Sequence, residues 1–139
     1  MNWVFFAVLG AFAAGATAIL AKVGVVGIPS NLAVAIRTAV VLVFAIGLVT
    51  LRGEQAALRD ISGRALLSLM LSGIATGISW LAYFKALQLA PASWVAPVDK
   101  LSLPITVVLA AVLLGEALTW RMTVGLGLMV SGAIIVARG

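Results

Sequence analysis

The sequence contains no cysteine and no histidine, and only four of its 139 residues are acidic. Without cysteine there is no disulfide, no thiol nucleophile and no thiolate metal ligand. Without histidine the chain lacks the commonest metal ligand and the commonest proton shuttle near neutral pH. The acids are Glu54, Asp60, Asp99 and Glu116, which are too scattered to form a catalytic carboxylate pair or a metal cluster. The sequence therefore predicts a protein that is not an enzyme and that uses no cofactor and no metal.

Apolar residues dominate what is present, with 64% of the chain hydrophobic and only 9% charged. A soluble domain of this length could not bury so much apolar surface, so the composition places the chain among membrane proteins. A spanning helix needs about 20 mostly apolar residues. The predicted spans are Trp3–Ala21, Leu32–Leu51, Ala65–Leu87, Ala92–Leu114 and Thr123–Val136, the last beginning nearer Trp120. We therefore predict an all-α integral membrane protein, a bundle of five transmembrane helices that forms a single domain over residues 1–139.

The basic residues are scattered along the chain, although they give it a formal charge of +5. Because they do not cluster on one face, we predict no nucleic-acid partner. If the N-terminal side of the membrane is called side A, that side holds Arg52, Arg59, Arg64 and Arg121, and the opposite side B holds Lys22, Lys85 and Arg138. This weak bias favours side A as cytoplasmic without fixing the orientation. Insertion both ways round and a single orientation both stay open.

Charged and amphipathic residues inside the predicted spans lie at a similar depth. A charge near the bilayer centre costs at least about 2.5 kcal/mol, so such residues usually mark functional sites. At about 1.5 Å per residue, Arg37 lies roughly 8 Å from side B, and Asp99 and Lys100 lie roughly 11 Å from it. By the same rise, Trp80 and Tyr83 lie roughly 10 Å and 6 Å from side B in the third span. We predict that these residues from three helices form a substrate-binding site.

Two prolines, Pro97 and Pro104, bracket Asp99 and Lys100 in the fourth span. Each proline removes a helix hydrogen bond. Broken backbone at membrane depth is tolerated only where it is buried in protein or lines a cavity, as at transporter binding sites. The surplus of positive charge at this depth favours an anionic or zwitterionic substrate. An internal salt bridge between Arg37 and Asp99, with no ligand involved, is the structural alternative and stays open.

Two stretches of the second half carry a family resemblance. They are ALQLAPAS, Ala86–Ser93, and the segment Leu101–Val136, where LGE follows a proline-bearing helix and a Gly-rich last helix ends in SGAIIV. The first half fits the same pattern, with Trp3 near the start, Lys22 at the end of the first helix and Arg37 in the second. Together these features resemble the EamA domain of the drug/metabolite transporter superfamily over essentially the whole chain.

The resemblance implies how the chain is used. Full-length relatives are similar to two such units in one chain, with ten helices and the halves inverted around a central cavity. This chain corresponds to one unit, so the resemblance implies an antiparallel homodimer with dual topology, which the weak charge bias suits. The stretch at Asp99 and Lys100 is usually more apolar in the ten-helix relatives. The four-helix multidrug relatives use a glutamate in the first helix for protons and cations, but the first helix here has no acid, so antiport is not carried over.

The favoured hypothesis is a multi-pass carrier of the inner (plasma) membrane that moves a small polar metabolite by alternating access. Its predicted partners are the lipid bilayer, a small-molecule substrate and a second, antiparallel copy of the chain. One alternative is a membrane subunit that does not transport, and another is half of a heterodimeric carrier. Tolerance of charge changes at Arg37 and Asp99 distinguishes a scaffold from a carrier.

Overall fold

The computed structural model describes residues 2–138, and this part of the chain is helical and contains no strand. The helices are α1 (Trp3–Gly24), α2 (Ser30–Leu51), α3 (Gly63–Leu89), α4 (Ala92–Asp99), α5 (Ser102–Leu109) and α6 (Trp120–Arg138). Five segments are long and apolar enough to cross a membrane, and the fourth of them, Ala92–Leu114, contains both α4 and α5. The predicted all-α fold with five candidate spans is therefore confirmed.

Side-chain caps fix where two of the spans begin. The backbone N–H of Ala65 donates to Ser62 Oγ at 3.2 Å, and the N–H of Met122 donates to Thr119 Oγ1 at 3.3 Å. Such bonds satisfy amide groups that the first turn of a helix leaves without an intrahelical acceptor. The cap at Thr119 explains why the last span begins at Trp120, as the sequence suggested.

The chain divides into two compact units, each described here by itself. The central unit is Leu20–Gln88, and the terminal unit combines Met1–Ile19 with Leu89–Gly139. Buried apolar side chains of the central unit are Ala21, Val25, Ala33, Val34, Phe84 and Leu87, and those of the terminal unit are Ala18, Val95 and Ala133. In the central unit these residues lie at the end of α1 and just after it, at the start of α2 and in the last turns of α3.

The polar connection between α2 and α3 belongs to the central unit. It forms a 3₁₀-helix, Glu54–Asp60, which packs against α2. Arg52 and Glu54 form a loose ion pair of 4.0 Å there, and both side chains are largely exposed. The acidic residues of the central unit are confined to this connection.

The fourth span is interrupted in its middle. Helix α4 ends at Asp99 and α5 begins at Ser102. At the interruption the N–H of Leu103 donates to the carbonyl of Lys100, three residues back, at 3.0 Å. Proline has no N–H, so Pro104 cannot donate to the Lys100 carbonyl as a residue at that position in a regular helix would. The break expected from the proline pair is therefore present in the backbone.

The fourth span ends in an irregular segment of the terminal unit. After α5 the backbone forms one π-helical turn, Ala110–Leu114, which the sequence did not predict. Gly115 follows with a φ of 70°, a conformation that glycine adopts without steric cost and that commonly ends helices. Both Gly115 and Glu116 donate their N–H groups to the Ala110 carbonyl. Glu116 consequently lies beyond the span and is exposed, in keeping with a carboxylate at the membrane interface.

Candidate functional site

The guanidinium of Arg37 lies over the indole of Trp80 in the central unit. The Cζ atom of Arg37, on α2, is 3.2 Å from the Trp80 ring centroid, on α3. Both side chains are half-buried. Cation–π contacts of this kind contribute about 0.5 kcal/mol when exposed and about 2 kcal/mol or more when desolvated. The contact explains how an apolar span holds a permanent charge.

Two more rings complete an aromatic cluster, which we define as Trp80, Tyr83 and Phe84. The centroids of Tyr83 and Phe84 lie 5.7 Å and 5.9 Å from that of Trp80, both in edge-to-face geometry. Residues three and four positions apart share a helix face, so one stretch of α3 can present all three rings. Phe84 is only 3% exposed and its ring centroid lies 5.9 Å from the Arg37 Cζ. The cluster therefore fixes the indole on which Arg37 rests.

Arg37 has no acidic partner inside the central unit. Glu54 and Asp60 lie in the connection after α2, whereas Arg37 is about 20 Å from the end of α2 at the helical rise. Among residues 20–88, Arg37 makes contacts with rings but no hydrogen bond or ion pair. Within the described residues of the unit, the charge of Arg37 thus lies against aromatic side chains and not against a carboxylate.

A second group of polar contacts anchors the α1–α2 connection to the end of α3. The amide Nε2 of Gln88 donates to the Ile28 carbonyl at 2.8 Å and more weakly to the Val25 carbonyl at 3.5 Å. The Nζ of Lys22 donates to the Leu87 carbonyl. A cation near the last carbonyls of a helix is favourable because the helix dipole is negative at that end. We call Lys22 and Gln88 the loop anchor.

The loop anchor borders a cavity of about 300 Å³. Its lining residues are Lys22, Val25, Val26, Gly27, Leu87 and Gln88. Gly27 has a φ of 77°, which lets the connection turn sharply toward Gln88. Sequence reasoning missed the anchor. The available signal was one amide side chain, Gln88, set between two leucines at the end of an apolar span.

Asp99 and Lys100 form an ion pair at the interruption of the fourth span, in the terminal unit. Lys100 Nζ lies 3.2 Å from Asp99 Oδ2, with the lysine side chain 52% exposed and the aspartate 33%. Consecutive residues of a regular helix do not face each other, but α4 ends at Asp99. Pro97 lies inside α4, two residues before the pair, and Pro104 lies in the first turn of α5.

The predicted site residues thus fall into two groups. The structure brings Arg37, Trp80 and Tyr83 together and adds Phe84, which the site prediction omitted. It pairs Asp99 with Lys100 separately, at the proline-bracketed break. That the two groups form one site stays a prediction. Among residues 2–138 no cluster of three His, Cys, Asp or Glu side chains suits a metal ion.

Comparison with known proteins gives two matches over nearly the full chain. The model of the EamA-like transporter family matches residues 1–138. A protein of Sinorhizobium sp, described as "Uncharacterized transporter in cobO 3'region", is 43% identical over 136 residues, which cover 98% of this chain and 96% of the relative. No solved structure matches the chain.

Proposed function

The chain belongs to the EamA-like transporter family, and we propose that it carries a small anionic or zwitterionic solute across the membrane by alternating access. Family membership and the five apolar helices identify a multi-pass membrane transporter. The observation that carries the finer proposal is Arg37, a cation within a span that contacts rings but no acid of its own unit. A charge within a membrane span that has no counter-ion is costly, so an anionic group of a solute would stabilise it.

The residues have distinct roles in this proposal. Arg37 binds the anionic group of the solute, and Trp80 and Tyr83 form the aromatic wall beside it. Asp99 and Lys100 supply polar groups at the break in the fourth span, where they can meet the charges of a zwitterion. Pro97 and Pro104 keep that backbone irregular, and half-helices meeting at a binding site are typical of secondary transporters.

We further propose that the working carrier is an antiparallel homodimer in the inner (plasma) membrane. Alternating access in inverted-repeat transporters needs two units of opposite orientation around the site, and this chain has the size of one unit. Each span buries at most about a tenth of its apolar stretch against other described residues of the chain. This leaves large apolar surfaces for lipid and for a partner copy. The near-even distribution of basic residues on the two sides is compatible with insertion in both orientations.

The experiment combines topology with transport in the same preparation. The chain has no native cysteine, so single cysteines can replace Gln55 and, separately, Gly139, followed by labelling of intact cells with an impermeant maleimide. We expect partial labelling of both positions from outside, and uptake of anionic or zwitterionic solutes by vesicles that contain the purified protein. Labelling of only one position from outside would contradict the antiparallel homodimer. Vesicles that take up neither solute class would contradict the proposed activity.

A further inference from the structure

We propose that Arg37 is a carboxylate receptor and that the transported solute is a monocarboxylate, held at the N–H edge of a guanidinium whose face is covered by Trp80. This inference rests on the proposed function and names the class of solute. It follows from the orientation of Arg37, from the charges around it and from how firmly the aromatic cluster holds it.

The short distance fixes the orientation of the guanidinium. Its Cζ atom is 3.2 Å from the Trp80 centroid. With a C–N bond of about 1.33 Å, an edge-on guanidinium would place a nitrogen within about 2.5 Å of the ring plane, which is too close for non-bonded atoms. The guanidinium therefore lies flat on the indole. All five of its N–H donors lie in its own plane, so the indole beneath it does not block them.

The planar edge matches one kind of anion. A guanidinium presents its donors as a fork that binds the two oxygens of a carboxylate through parallel hydrogen bonds. Within residues 20–88 the cation–π contacts of the aromatic cluster come from one cation, Arg37, so one negative charge balances it. Of the other lysines in or beside the spans, Lys22 donates to the Leu87 carbonyl, Lys100 pairs with Asp99, and Lys85 on α3 is exposed. A dianionic phosphate would leave a charge without a partner, whereas a carboxylate would not.

The receptor is held in place before any solute arrives. Trp80 makes edge-to-face contacts with Tyr83 at 5.7 Å and with Phe84 at 5.9 Å. Phe84 is almost fully buried, and its burial ties the cluster to the interior of the central unit. A receptor fixed by its neighbours loses little conformational entropy when the ligand binds. Lysine at position 37 would keep the charge but lose both the flat stacking and the fork.

The test uses the fluorescence emission of Trp80 to report binding of a solute beside Arg37. Replacing Trp3, Trp94 and Trp120 with Phe leaves Trp80 as the single tryptophan, and this protein is first checked for uptake. The probes are acetate, propionate and phenylacetate, each paired with its neutral amide, together with methylphosphonate. We expect a saturable change in Trp80 emission with at least one carboxylate, no change with its amide, and binding at least tenfold weaker in both Arg37→Lys and Arg37→Gln.

The outcomes separate the inference from the function on which it rests. Equal binding by Arg37→Lys, or tighter binding of methylphosphonate than of every carboxylate, would overturn the carboxylate receptor. If vesicles take up a solute that has no carboxylate, and Arg37→Gln abolishes that uptake, the proposed carrier stands and the solute class is wrong. If no probe changes the emission and no solute enters vesicles containing folded protein, both the inference and the proposed function fail.

Discussion

Two cations within the membrane spans of this chain have different neighbours. Arg37 in the central unit rests on Trp80 and meets no acid within its unit. Lys100 in the terminal unit sits 3.2 Å from Asp99 and is about half exposed. The charge of Lys100 is already paired with an acid, whereas the charge of Arg37 lies against aromatic side chains. The comparison supports the proposal that Arg37, which has no acid in its own unit, binds the anionic solute.

The backbones around Arg37 and around Lys100 also differ, because only the second is interrupted. Arg37 and Trp80 lie inside uninterrupted helices, α2 and α3. Asp99 and Lys100 lie where the fourth span breaks between α4 and α5. Regular helices hold a binding group in one geometry, whereas a broken span can change its geometry at low cost. We therefore expect the central unit to determine which solute binds and the break to take part in the conformational change.

We expect the largest effect in transport, where replacing Arg37 should reduce uptake much more than replacing Asp99. For Arg37→Ala we expect kcat/KM for uptake to fall at least about 30-fold, because losing the charged partner of the solute's carboxylate costs roughly 2 kcal/mol or more. For Asp99→Ala we expect a smaller fall, about fivefold or less, because Asp99 is partly exposed and already paired with Lys100, so a contact of its carboxylate with the solute is worth about 1 kcal/mol at most.

Uptake by reconstituted vesicles measures both variants of this comparison. Arg52→Ala, an exposed arginine in the polar connection, is the matched control and should transport like the parent protein. If both Arg37→Ala and Asp99→Ala transported normally as folded proteins, the site assignment would be wrong. If the two lost activity equally, the contrast between the two units would disappear.

We expect a smaller effect in the free energy of unfolding, where a change in the central unit should cost more than a change in the terminal unit. Gln88→Leu removes the side-chain bond to the Ile28 carbonyl and the weaker one to Val25, so we expect the free energy of unfolding to drop by about 1–2 kcal/mol. Lys100→Gln removes a half-exposed ion pair and should cost about 0–1 kcal/mol.

Denaturation in mixed micelles gives both of these free energies. Gln55→Leu, at an exposed position of the polar connection, is the control for added apolar surface and should leave stability nearly unchanged. A larger loss for Lys100→Gln than for Gln88→Leu would show that the terminal ion pair, and not the loop anchor, holds the fold together.

The parts that sequence reasoning predicted are local in origin. The spans follow from apolar runs, and the break in the fourth span follows from Pro97 and Pro104. Each depends on a few neighbouring residues and on backbone hydrogen bonding, which composition and proline chemistry determine directly.

The contacts that sequence reasoning missed join residues far apart in the chain. A nearly uniform apolar helix gives no periodic signal for its rotation, so depth alone placed Arg37 near Trp80 without indicating that they stack. The same reason hides the bonds from Gln88 to the α1–α2 connection. The π-helical turn at Ala110–Leu114 contains no proline or glycine from which it could have been predicted.

The measurement that tests the central claim most directly is a double-mutant cycle between the two units. The free energy of unfolding would be compared for the parent, Arg37→Gln, Asp99→Asn and the double variant. If Arg37 binds a solute and not Asp99, the losses in the free energy of unfolding of the two single variants should add to that of the double variant within about 0.5 kcal/mol in the absence of solute. A coupling energy of about 2 kcal/mol or more would instead mean that Arg37 and Asp99 form an internal salt bridge, and that the cation assigned to the solute already has its partner.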